Sequence, residues 1–165
     1  MSFFDQKKLA GQAQAAKQAR DSAQAAKEQE KRNYAAFVKA LTPQLDQALA
    51  EFPQAAKQMG RPLAKEELNY FHLRRSGWSI GTFWERLDGT GLRSDRQLYV
   101  APSGAIYMRT RSGSYLSDKM ERVDRKRAYK IMLDAFWERA KGPAPGTYDP
   151  KKIVETHFYG ILGIK

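Results

Sequence analysis

Tyr99, Tyr107, Arg109 and Arg111 stand at alternating positions in two short runs on either side of Pro102-Ser103-Gly104. Phenol rings stack on planar groups, and guanidinium forks hold phosphate oxygens in pairs. Together on one open surface, the four would suit single-stranded nucleic acid through stacking and phosphate contact. A second set lies downstream, where Arg122, Lys126 and Lys130 share an i,i+4 row with Arg125 and Tyr129 beside it. A cationic helix face of that kind would extend a phosphate-binding footprint. Asp118 and Glu121 precede Arg122 and Arg125 by four residues, which is also the pattern of a solvated, salt-laced helix face.

For the first four residues to act together, the chain must form a hairpin over residues 96–111. A three-residue loop fits, with Pro102 and Ser103 in a type I turn and Gly104 in the left-handed position. That loop pairs Val100 with Ile106, Tyr99 with Tyr107, Leu98 with Met108, Gln97 with Arg109 and Asp95 with Arg111. Alternation then puts Leu98, Val100, Ile106 and Met108 on a face that needs a core, and the tyrosines and arginines on the other. If helices cover this second face as well, the tyrosines are packing residues and not a binding surface.

The remaining elements are read from periodicity and breakers. Residues 1–32 are rich in Ala, Gln, Lys and Glu, a polar helical extension with a narrow alanine stripe and little to bury. Such a helix either projects or pairs with a partner, a second copy included. Core-forming residues begin at Tyr34 and continue through Phe37, Leu41, Leu45, Leu49 and Phe52. Thr42-Pro43 resembles an N-cap and first helical position, so two helices meet there or one kinks, with Pro53 a second kink and Gly60 a stop. Residues 63–75 could be helix or strand, and Trp78 to Leu87 reads as strand. Ser117 or Asp118 would cap a long helix from Lys119 to Lys141. A Pro/Gly linker over 142–149 leads to a short apolar helix over 150–165. The expected fold is α+β, with long N-terminal helices, a small antiparallel sheet, a long helix and a short C-terminal one; residues 33–141 form its single domain.

Composition removes several chemistries. The chain has no cysteine, so disulfides, thiolate metal sites and cysteine nucleophiles are excluded. His72 and His157 lack partners at metal-motif spacing, and His157 falls on an apolar helix face, which suits a core histidine. No paired carboxylates stand out for acid–base work, and Asp88-Gly89-Thr90-Gly91 lacks the Lys-Ser/Thr of a phosphate loop. Neither a metal nor another cofactor is expected. No signal peptide or membrane span is visible, so the chain reads as soluble and cytoplasmic. Its 29 basic and 18 acidic residues leave a net charge of +11, and residues 74–127 alone hold 12 Lys or Arg against 6 Asp or Glu. That balance favours an anionic partner, nucleic acid or an acidic protein.

The resulting expectation is a non-enzymatic binding protein that contacts nucleic acid through Tyr99, Tyr107, Arg109, Arg111, Arg122, Arg125 and Lys126. The alternative is a protein-interaction or assembly module. It would use the N-terminal helix for self-association and offer Ile153, Val154, Phe158 and Ile161 to a partner's groove.

Overall fold

A computed structural model describes residues 3–67, 74–87, 89–110 and 119–165 of the chain. Helix α1 (Gln6–Gln58) runs 53 residues without a break. Five strands follow: β1 (Ala64–Glu67), β2 (Arg74–Arg86), β3 (Arg93–Val100), β4 (Ile106–Thr110) and β5 (Lys119–Arg122). Helices α2 (Arg125–Arg139) and α3 (Pro150–Leu162) complete the chain. The strands form one antiparallel sheet in the order β1-β2-β3-β4-β5. The fold is α+β, as the patterning indicated.

Pro43 and Pro53 lie inside α1 and do not divide it. Thr42 is not an N-cap; its hydroxyl donates to the Val38 carbonyl one turn back, at 2.7 Å. Phe37, Leu41, Leu45, Leu49, Phe52 and Ala56 are all buried along one stripe that crosses both prolines. An interior proline costs about 3 kcal/mol, whereas each large buried side chain returns about 1.5–3 kcal/mol, so the stripe keeps the helix whole. Before Asn33 every described residue of α1 is exposed. The polar segment is therefore the free end of a helix whose second half is core.

The hairpin has the expected register, with Val100 opposite Ile106, Leu98 opposite Met108, Tyr99 opposite Tyr107 and Gln97 opposite Arg109. Gly104 has φ +85° at the loop, and Ala101 and Ala105 close it through an N–H···O bond of 2.9 Å. Asp95 with Arg111 lies outside the described residues, as do Ser117 and Asp118. The helix expected from Lys119 begins only at Arg125, and Asp124 caps it by accepting from the Arg127 N–H at 2.9 Å. Residues 119–122 instead pair with the edge of β4, and the Val123 N–H donates to the Ile106 carbonyl at 3.0 Å. An open strand edge outcompetes local helix propensity here, because pairing satisfies its backbone groups and buries Val123.

All three helices pack on one side of the sheet. Trp78, Ile80, Phe83, Leu98, Val100, Ile106 and Met108 join residues of α1, α2 and α3 in a single apolar cluster. Tyr99 is buried but stands outside that cluster, on the opposite face. The β2–β3 register shifts between Ser79 and Gly81. At the bulge Gly81 adopts φ +123°, and a Cβ there would stand 3.2 Å from the His157 ring. His157 fixes α3 to this point, its Nε2 lying 2.7 Å from the Ile80 carbonyl.

Candidate nucleic-acid interface

Strand β5 brings together two groups that lie apart in the sequence. Tyr107 faces Tyr99 on β3 and Arg122 on β5. Tyr99 in turn faces Ser79, so Ser79, Tyr99, Tyr107 and Arg122 form one cross-strand row. Arg109 lies in the parallel row, between Gln97 and Met120. Because side chains alternate along each strand, Ser79, Tyr99, Tyr107, Arg122, Gln97 and Arg109 project from the face turned away from the helices.

The residues of this face differ in what they leave accessible. Tyr99 is only 6% exposed, and its hydroxyl donates to Gln97 Oε1 at 3.2 Å. It thus has little ring surface for a base. Tyr107 and Arg109 are half-buried, and Arg122, Arg125 and Lys126 are exposed. Arg111 lies outside the described residues. The hairpin loop, Tyr107 and the segment Arg122–Arg125 border a groove of about 740 Å³.

Arg125 reaches Asp46 of α1 at 3.9 Å, a loose and solvated ion pair, and its guanidinium lies 5.9 Å from the centroid of Tyr129. The Tyr129 hydroxyl donates to the Asp46 carboxylate. Burial, with that bond to a carboxylate, holds the phenol well above its ordinary range. Arg125, Lys126 and Arg127 fill the first turn of α2, which contains no acidic residue. That end of a helix favours anions, so three cations there oppose the helix dipole.

The C-terminal helix presents less than its sequence suggests. Val154 and Phe158 are buried in the chain's own core, with the Phe158 ring 5.6 Å from Phe52 of α1. Ile153 and Ile161 are half-buried and pack against the same core. Docking on α1 therefore takes up the apolar stripe that a partner's groove would have needed.

A second concavity, of about 1,100 Å³, lies between the middle of α1, the far ends of β2 and β3, and α2. At its wall one carboxylate joins two guanidinium groups: Glu85 accepts from Arg96 Nε at 2.9 Å and from Arg127 Nε and Nη2 at 3.1 Å each. The Arg127 bonds, with a smaller effect from the single Arg96 bond, hold the Glu85 carboxyl below its usual range against the opposing effect of burial. Arg96, itself only 7% exposed, also donates to Ser94 Oγ. Nothing in local spacing announces this cleft. The one visible sign is a glutamate set among arginines in a strand that should face the core.

Among the described residues, no group of three or more His, Asp or Glu side chains could hold a metal ion, and no helix is long and apolar enough to cross a membrane. The chain matches no protein-family model, no curated protein and no solved structure.

Proposed function

We propose that the protein is a non-enzymatic binding protein that holds single-stranded nucleic acid along β4, β5 and the first turn of α2. The observation that carries this reading is the pairing of Tyr107 with Arg122 on the helix-free face. A ring for stacking and a fork for phosphate stand side by side there, with Arg109 in the next row and Arg125 and Lys126 beyond the strand end. Tyr99 serves as support, and Tyr107 is the platform. The net charge of +11 supplies long-range attraction.

A titration of a short labelled oligonucleotide at three salt concentrations tests this. Arg109→Ala and Arg122→Ala should each flatten the salt dependence by about 0.7 in log–log slope, one phosphate contact on a single strand. Tyr107→Ala should cost about 1–3 kcal/mol of affinity and leave the slope unchanged. Tyr99→Ala should lower stability. If Lys17→Ala, on the exposed half of α1, weakens binding as much as Arg122→Ala, the charge acts generically and the site is refuted.

Assembly through α1 is a second reading, favoured by the exposure of every described residue before Asn33. At 1.5 Å per residue, the part of α1 before Ala26, the first of its residues to line the cleft against α2, extends about 30 Å. Sedimentation of the full chain and of a variant lacking residues 1–30 decides it. A dimer that becomes a monomer supports assembly, and an unchanged monomer removes it.

A further inference from the structure

The cleft between α1, α2 and the ends of β2 and β3 contains three kinds of group that together recognise one ligand chemistry. The first is aromatic: Trp84 and Trp137 both line it and are half-buried. Arg93 lies 4.1 Å over the Trp84 ring and pairs with Glu138 at 3.2 Å, so one indole is already held as part of a stack. Trp137 is held edge-on by Tyr34 and Phe37, at centroid distances of 5.4 and 5.2 Å.

The second kind is cationic. The lining and Arg96 behind it include six cations against four carboxylates. Most of these are mutually engaged, Lys130 with Asp134 at 2.7 Å among them. Arg86 and Lys141 are exposed lining residues with no acidic partner among the described residues. Lys141 has φ +58°, the only non-glycine residue with positive φ among those described. Glycine or asparagine is usual at such a helix end, and any other residue there is strained. Gly142 follows with φ +59°, and a Cβ on it would stand 3.2 Å from the Trp137 ring. The chain therefore turns tightly beneath the indole, with an amine at the rim where glycine would be less strained.

The third kind is the side-chain amide. Gln29 and Asn33 line the α1 wall, and Gln29 Nε2 donates to Asn33 Oδ1 at 2.9 Å. That bond leaves the Gln29 carbonyl and the Asn33 amino group for another donor–acceptor edge. Flat indoles, a paired amide edge and unpaired cations are the complement of a base joined to a phosphate. The volume, about 1,100 Å³, lies just above the usual small-ligand range of about 300–1,000 Å³.

We propose that this cleft binds a nucleotide. The base lies among Trp84, Trp137 and the Gln29/Asn33 amides, and the phosphate lies at Arg86 and Lys141. The nucleotide is free or is the phosphorylated end of a strand. The site is independent of the sheet-face reading, since it uses none of the residues which that reading assigns to binding.

Titration of the full-length protein, followed by tryptophan fluorescence, tests the proposal. The probes are adenosine 5′-monophosphate, a 5′-phosphorylated tetranucleotide, adenosine and inorganic phosphate. Saturable quenching by the monophosphate at concentrations up to about 1 mM identifies a free nucleotide. Quenching by the tetranucleotide alone identifies a strand end. In either case Arg86→Ala with Lys141→Ala should weaken binding about tenfold or more, and Arg122→Ala with Tyr107→Ala should leave it unchanged. Three results overturn the proposal: no saturable quenching by either phosphorylated probe, equal binding of inorganic phosphate, or binding lost in the Arg122/Tyr107 variant and kept in the Arg86/Lys141 variant. Failure of the sheet variants to affect a long oligonucleotide would refute only the sheet reading.

Discussion

His157 should make the attachment of α3 depend on pH, and the sign follows from its contacts. Its Nε2 lies 2.7 Å from a backbone carbonyl, which can only accept, so Nε2 carries the proton. Nδ1 then accepts from Arg139 Nη1 at 3.2 Å. A second proton on the ring would meet that guanidinium head-on, among Phe83, Phe136 and Phe158 at centroid distances of 5.2–5.3 Å. Burial in this aromatic setting lowers the pKa below its ordinary value; the Ile80 bond partly opposes it, and Arg139 adds to it. The unfolded chain thus takes up a proton near pH 6.5, and the folded chain does so only in stronger acid. Stability from this group is complete above about pH 6.5, falls by at most about 1.4 kcal/mol per pH unit below it, and levels off once the folded ring is protonated. Urea unfolding of the wild type and of His157→Gln between pH 7.5 and 5 measures the effect. The variant should lose about 1 kcal/mol at pH 7.5, the net value of one hydrogen bond, and show a shallower decline on acidification. Identical slopes in the two proteins would refute the assigned tautomer and the coupling.

Three further outcomes are expected from unfolding measurements. Phe158→Ala should destabilise the whole fold by about 3–5 kcal/mol, because the ring is a buried contact between α3 and α1; melting of α3 alone would mean that it is only loosely attached. Gly104→Val should cost about 1–3 kcal/mol from backbone strain alone, since no atom lies within 4 Å of a Cβ at φ +85°. Glu85→Gln should cost about 2–3 kcal/mol, less than for a fully buried pair, because Arg127 is half-exposed while Arg96 is not. Its stabilising effect should be lost as pH falls through the lowered carboxyl pKa, so the variant's stability should depend less on pH in that range.

Local patterning made the hairpin legible down to its register, because alternation, loop length and a glycine at positive φ all agree within fourteen residues, 96–109. The stripes of α1 and α3 were legible for the same reason: burial follows a period of 3.6 residues. What escaped depended on distant partners. Lys119–Arg122 has no strand signature of its own and becomes β5 because β4 has a free edge. Pro43 resembled a boundary because its local cost is visible and the packing of Leu41 and Leu45 against the sheet and helices is not. The burial of Tyr99 could not be read from alternation, which gives the face and not what lies upon it. The cleft collects Gln29, Trp84 and Lys141 from three remote segments, so no window of sequence contains it.

The placement of charge is a feature that fold stability does not explain. Each helix starts with an aspartate whose carboxylate accepts first-turn N–H groups, and each continues with cations: Lys7 and Lys8 in α1, Arg125, Lys126 and Arg127 in α2, Lys151 and Lys152 in α3. None has an acidic residue in its first turn. A cation near the positive end of a helix opposes the macrodipole by about 0.3–1 kcal/mol, so the Asp caps offset a cost that acidic residues would have turned into a gain. On α3 the cost is partly relieved by Glu155, 3.5 Å from Lys151. On α2, Arg127 is engaged by Glu85, and Arg125 is only loosely paired at 3.9 Å. On α2 this leaves Lys126 and the loosely held Arg125 beside Tyr107 and Arg122. A chain shaped for stability alone would have placed its acids there, and an anionic strand across β4 and β5 would supply the missing negative charge.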